Sequence, residues 1–143
     1  MKPLPHRYNV RILGGPSGHA VLESAGVPDL RTAPPRDFDG PGDAWSPEQL
    51  LLGAVASCYL LTFRALARAS KIEVVSLAIA GEGVVDRADG VMRFTDIVLR
   101  PRLTIAAGTD RARVERALEK AKRGCLVSAS LVPEVRLEPE IAG

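Results

Sequence analysis

The chain has 143 residues, 46% hydrophobic and 25% charged, the balance expected of one soluble globular domain over residues 1–143. A net charge of +2, with no Lys/Arg cluster interleaved with aromatics, argues against a nucleic-acid partner. The longest apolar run, Leu50 to Phe63, falls short of the ~20 residues of a membrane span and reads as a buried core helix, so no membrane partner is expected.

Residues 7–13 alternate and predict a strand. Gly14-Gly15-Pro16-Ser17-Gly18 is a turn, and residues 19–24 return as the second arm of a hairpin. A third short strand is expected near 27–32. Residues 33–45 are rich in Pro, Gly and Asp and read as a loop, of a length that in a small domain is usually functional or disordered. A helix follows. Ser46 is its N-cap, Pro47 suits its first position, and Gln49 completes a capping box. It should run to about Ser70. Its first half is apolar on nearly every face, which predicts burial all round, and Arg64, Arg68 and Lys71 bring its second half to solvent.

Two long strands are predicted at 73–85 and 91–105, joined by Asp86-Arg87-Ala88-Asp89-Gly90. Met92 and Phe94 share one parity while Ile97, Leu99, Leu103 and Ile105 share the other, so a bulge is expected near Thr95-Asp96. A second helix starts near Thr109 or Asp110. Val114, Ala117, Leu118 and Ala121 form its apolar stripe, and Gly124 ends it. Residues 133–139 are expected to form a last strand. Hairpins outnumber helical crossovers in this order, which predicts an α+β fold with a largely antiparallel sheet.

The chain has two cysteines, Cys58 in the first helix and Cys125 just past the second, and two histidines, His6 and His19. No CxxC or HxxxH spacing exists, so neither a zinc site nor another cofactor is expected. The segment Met1-Lys2-Pro3-Leu4-Pro5-His6-Arg7 has no apolar stretch of the secretory kind, which leads to the expectation of a cytoplasmic protein. There, paired thiols are more often catalytic or metal-binding than structural.

A nucleophilic thiolate needs a depressed pKa and access. Cys58 lies ~15 Å from the start of its own helix and between the uncharged Ser57 and Tyr59, so any charged group that activates it must come from elsewhere. Its other reading is a small buried hydrophobe. Cys125 precedes Leu126-Val127-Ser128-Ala129-Ser130, a run able to form a short helix whose N–H groups would favour a thiolate, and packing is again the alternative. Glu48 sits in the first helical turn, where the helix dipole alone would favour it. Arg36 is the one cation among residues 33–45, and a solvated surface charge is its plain reading.

Ser46-Pro47-Glu48-Gln49-Leu50, Cys58 ten residues after the Glu, and the later run Cys125-Leu126-Val127-Ser128-Ala129-Ser130-Leu131 together resemble the OsmC/Ohr family, the osmotically induced protein C and organic hydroperoxide resistance proteins. The resemblance covers nearly the whole chain. It implies mostly antiparallel sheets wrapped around central helices in an intertwined homodimer. It also implies a thiol-dependent peroxidase that reduces organic hydroperoxides, and hydrogen peroxide less well. By resemblance Cys58 matches the peroxidatic cysteine, Cys125 the resolving one and Glu48 the helix-start glutamate. Ohr-type members place an arginine after the Gly-Gly pair, where this chain has Pro16. OsmC-type members place it in the loop before the helix, where Arg36 stands, so the chain looks closer to OsmC. Leu126 stands where many members carry Pro.

Glu48 and Cys58 are ~15 Å apart along a straight helix, too far to share a site within one chain. Two helices crossing antiparallel would bring Glu48 of one chain towards Cys58 of the other, with Arg36 holding the thiolate and Glu48 orienting the Arg. The expected cycle runs from a Cys58 sulfenic acid to a Cys58–Cys125 disulfide, which an external dithiol reduces. Two other readings stand beside it: a redox-inert protein binding a small ligand in an apolar dimer pocket, and a peroxide-responsive protein that turns over poorly.

Overall fold

The computed structural model describes residues 1–143, which form two compact parts, Met1–Leu51 and Leu52–Gly143. In the first part, β1 (Arg11–Leu13), β2 (Ala20–Glu23) and β3 (Leu30–Thr32) make an antiparallel sheet in that order. The strand expected over residues 7–13 is thus shorter than its alternation implies. Its ladder ends where Arg11 faces Glu23, the last residue of β2, and the Arg11 and Glu23 side chains close that end with a 2.9 Å ion pair. Beyond Glu23 the chain turns away, so Tyr8 and Val10 find no partner strand and stay exposed.

The loop over 33–45 is closed at its base. Ala33 N–H donates to the Trp45 carbonyl at 3.0 Å, and Thr32 bridges Trp45 in parallel. Inside it lies a single 3-10 turn, Arg36–Phe38. Gly42 has a φ of +73°, and the Arg36 side chain lies against it where a Cβ would stand. The capping box forms as the sequence predicts. Ser46 Oγ accepts from the Gln49 N–H at 3.1 Å, and Gln49 Oε1 accepts from the Ser46 N–H at 3.0 Å. It launches α1 (Pro47–Ala69), an unbroken helix.

In the second part, α1 buries one face only. Val55, Tyr59, Phe63 and Ala67 recur every four residues and enter a core shared with Ile97, Leu99, Val114 and Leu118. The expected burial all round is therefore not met within one chain: Leu61 on another face is 55% exposed, and Ala54 and Ala65 are exposed with it. A four-residue repeat on a 3.6-residue helix makes a narrow stripe, and the sheet and α2 bury that stripe while covering Leu52, Ala56, Cys58 and Leu66 only in part. An 18-residue window of α1 has a mean hydropathy of 1.8, as apolar as a membrane span.

β4 (Val74–Ala88) and β5 (Val91–Ile105) pair antiparallel along their whole length. Val84 faces Asp96 and Val85 faces Phe94, which leaves Thr95 as the extra residue of the expected bulge. On the other edge of β5, β6 (Val135–Leu137) and β7 (Glu140–Ala142) lie end to end, both parallel to it. The single last strand expected over 133–139 is thus two short ones. The break falls at Glu138-Pro139, where the Glu138 N–H still reaches the Leu99 carbonyl at 2.9 Å but Pro139 has no N–H to donate. The parallel pairing arises because α2 (Arg111–Gly124) and α3 (Leu126–Ala129) intervene between β5 and β6. Asp110 caps α2, its Oδ1 accepting from Ala112 N–H at 3.0 Å, and the predicted stripe of Val114, Ala117, Leu118 and Ala121 is buried. The fold is α+β, as the sequence predicts.

Candidate functional site

Cys58 and Cys125 meet inside the second part. Cys58 is half-buried on α1, and Cys125 is 1% exposed at the single-residue junction between α2 and α3; both are free thiols. Two contacts hold α1 against α2 around them. The phenol of Tyr59 donates to the Leu118 carbonyl at 3.0 Å, and Thr62 Cγ2 lies 3.6 Å from where a Cβ on Gly124 would be. The end of α2 thus packs on the α1 turn that carries Cys58, at a distance that leaves room for a Cβ at Gly124.

This packing aims the start of α3 at Cys58. Burial pushes the Cys58 thiol up. The Val127 N–H, the Cys125 thiol, the Thr62 hydroxyl and the Leu126 N–H all oppose burial, and together they hold Cys58 below the ordinary thiol range. Within one chain the groups that hold it down are thus dipoles. The N–H groups expected to favour Cys125 serve Cys58 instead, because Cys125 is itself the residue before α3 and its side chain makes no cap hydrogen bond. Thr62 Oγ also lies 2.7 Å from the Cys58 carbonyl, so its one proton serves either that oxygen or the sulfur. Ser128 Oγ donates to Cys125 Sγ at 3.2 Å.

Thr62 is the site residue that the sequence reading missed, whereas the N–H groups of the run from Leu126 were expected to favour Cys125. Thr62 had a signal, being four residues after Cys58 and so on the same helical face. The N–H donors were legible as a short helix start, but nothing in the sequence directs them to Cys58.

Arg36 and Glu48 belong to the first part. Arg36 is exposed and makes no ion pair, with Glu48 or any other carboxylate. Glu48 Oε2 is buried without a hydrogen-bond partner. Glu48 lines a cavity of about 440 Å³ whose other walls include Ala33, Pro34, Pro35, Phe38 and Pro47. No cluster of metal-ligating side chains is present.

A family model described as OsmC-like protein matches residues 40–140, which include α1, both cysteines and the long β4–β5 hairpin. The chain belongs to the OsmC-like family. Among curated relatives, this OsmC-like chain is 33% identical over 109 residues to Uncharacterized protein YmaD of Bacillus subtilis, covering 74% of this chain and 73% of that one. It is 28% identical over 116 residues to a protein of Xanthomonas axonopodis pv. citri named Organic hydroperoxide resistance protein, covering 78% and 77%. An OsmC-like protein of Vibrio cholerae superposes with a TM-score of 0.87 at 19% identity, over 94% of this chain and 99% of that chain. An organic hydroperoxide resistance protein of Legionella pneumophila gives 0.73 at 23%, over 99% and 100%. These structural likenesses carry the fold.

Proposed function

We propose that this OsmC-like protein is a thiol peroxidase that reduces organic hydroperoxides through a Cys58 sulfenic acid and a Cys58–Cys125 disulfide. The observation that carries the reading is the meeting of the two cysteines with the α3 N–H groups directed at Cys58. The Cys58 thiolate attacks one oxygen of the hydroperoxide. The O–O bond breaks, the alcohol leaves with a proton, and sulfur keeps the other oxygen as a sulfenic acid. Cys125 then attacks that sulfur, its thiol proton leaves with the hydroxyl as water, and a disulfide forms. An external dithiol restores both thiols by exchange. The name of the Xanthomonas relative agrees with this substrate class.

The proposal includes a homodimer in which Arg36 and Glu48 of one chain serve Cys58 of the other. Three features support it: an Arg36 with no ion pair, a Glu48 oxygen buried without a partner, and apolar α1 residues such as Leu61 that one chain leaves uncovered. One feature favours the ligand-binding reading instead, the largely apolar cavity beside Glu48.

The test treats reduced protein with one equivalent of an organic hydroperoxide and weighs it. A loss of about 2 Da, replaced by a gain of about 16 Da in Cys125→Ser and absent in Cys58→Ser, is expected for the cycle. Unchanged thiols together with ligand-induced stabilisation select the binding reading. Co-refolded Cys58→Ser and Glu48→Ala chains regain part of the lost activity if the site is shared between subunits.

A further inference from the structure

A crevice of about 290 Å³ reaches Cys125, and Cys58 is not among its walls. Lys122 and Arg123 at the end of α2, Ser128 on α3, and Val132 and Glu134 beyond it surround the cysteine. Lys122 Nζ and Glu134 Oε1 pair at 3.2 Å and brace two of its walls. Cys125 is 1% exposed, and the crevice is the open space that adjoins it.

We propose that this crevice is the docking port for a small dithiol reductant, and that the reductant attacks the sulfur of Cys125 rather than that of Cys58. The inference rests on the disulfide cycle proposed above. Thiol–disulfide exchange is an in-line displacement, so the attacking sulfur approaches from the side opposite the bond that breaks. For attack at Cys125 that side faces away from Cys58, and the crevice walls include Cys125 without Cys58. The reductant thiolate forms a sulfur–sulfur bond to Cys125, the Cys58–Cys125 bond breaks, and its electron pair leaves on Cys58. The second thiol of the reductant gives its proton to water and attacks the reductant's own first sulfur. The oxidised dithiol departs as an internal disulfide, and the electron pair leaves on Cys125, which takes up a proton. The dithiol supplies the two electrons.

The leaving groups agree with this direction. A thiol of lower pKa leaves faster, and Cys58 departs towards the Val127 and Leu126 N–H groups and the Thr62 hydroxyl. In the second displacement the Ser128 hydroxyl, 3.2 Å from Cys125 Sγ, donates to the departing sulfur. Peroxide and reductant would then use different doors. The oxidant meets Cys58, and the dithiol meets Cys125.

The test closes the disulfide with diamide, so that it does not depend on turnover with peroxide. The oxidised protein is treated briefly with β-mercaptoethanol, quenched in acid and blocked with N-ethylmaleimide, and the mixed disulfide is mapped by peptide mass. At least ten-fold more adduct on Cys125 than on Cys58 is expected, with the maleimide on Cys58. Adduct mainly on Cys58, or equal amounts on both, overturns the proposal. Val132→Trp, at an exposed position on the crevice wall, should slow dithiol reduction of the diamide-formed disulfide at least ten-fold; an unchanged rate overturns the port. A disulfide that diamide closes and thiols open at Cys125, but that hydroperoxide never forms, leaves the port standing and sinks the peroxidase reading. Failure of diamide to close it sinks both.

Discussion

Tyr59 and Leu118 are joined by a buried 3.0 Å hydrogen bond from phenol to main-chain carbonyl, and this bond ties the helix of one cysteine to the helix that leads to the other. Burial raises the phenol's pKa above its ordinary value of 10.0, and the neighbouring Glu119 and Cys125 add to the effect when charged. A raised pKa means that the fold favours the protonated phenol. Its contribution to stability is complete below the unfolded value and is lost as pH rises through the folded one. Tyr59→Phe should cost about 1 kcal/mol at neutral pH. It should also flatten the loss of stability above pH 10, the ordinary phenol value. Denaturant titrations of both proteins across that range check this.

Cys58 is held below the ordinary thiol value of 9.0 despite its burial. Its alkylation rate should therefore reach half-maximum below that pH, and Thr62→Val should move the midpoint upward by removing one donor to the sulfur. The linkage sign is opposite to that of Tyr59. The fold favours the thiolate, so the stabilisation is present above the unfolded pKa and is lost as pH falls through the folded one. Iodoacetamide kinetics with peptide mapping separate Cys58 from Cys125.

Gly83 on β4 pairs with Ile97 on β5, and the ring of Phe94, beside the Thr95 bulge, lies against it. A Cβ there would stand 2.6 Å from the Phe94 ring and 2.9 Å from Leu52 Cδ2. Gly83→Ala should destabilise by about 1–3 kcal/mol through overpacking, with Phe94→Leu in the same chain recovering part of the loss. Thermal unfolding of the single and double variants reads both.

Ser46 is 1% exposed, and it both gives and receives a capping-box hydrogen bond with Gln49. Ser46→Ala leaves the Gln49 N–H unpaired and should cost about 1–2 kcal/mol, whereas Ser46→Thr should keep most of the stability. Urea unfolding of the two variants distinguishes the lost bond from a general intolerance at this position.

Where local chemistry decides the outcome, the sequence was legible. The Ser46 cap, the Thr95 bulge, the start of α2 at Asp110 and its buried stripe each follow from residues within a few positions of one another. The errors fall where a partner elsewhere decides. Residues 7–10 alternate like a strand, but β2 is too short to pair them. The apolar circumference of α1 says that it wants cover, without saying how much of that cover its own chain supplies. The break between β6 and β7 is set by Pro139, yet their parallel pairing depends on where α2 and α3 return the chain.

The order of residues alone determined the α+β architecture, the family and the identity of the two thiols, because periodicity, capping and motif spacing are carried by side chains close together in the chain. Only the tertiary structure brings together the groups that hold the Cys58 thiol below its ordinary range. Its donors include main-chain N–H groups of Leu126 and Val127, distant in sequence and common to almost every residue type, so they become specific only when the packing of α2 on α1 brings them to one sulfur.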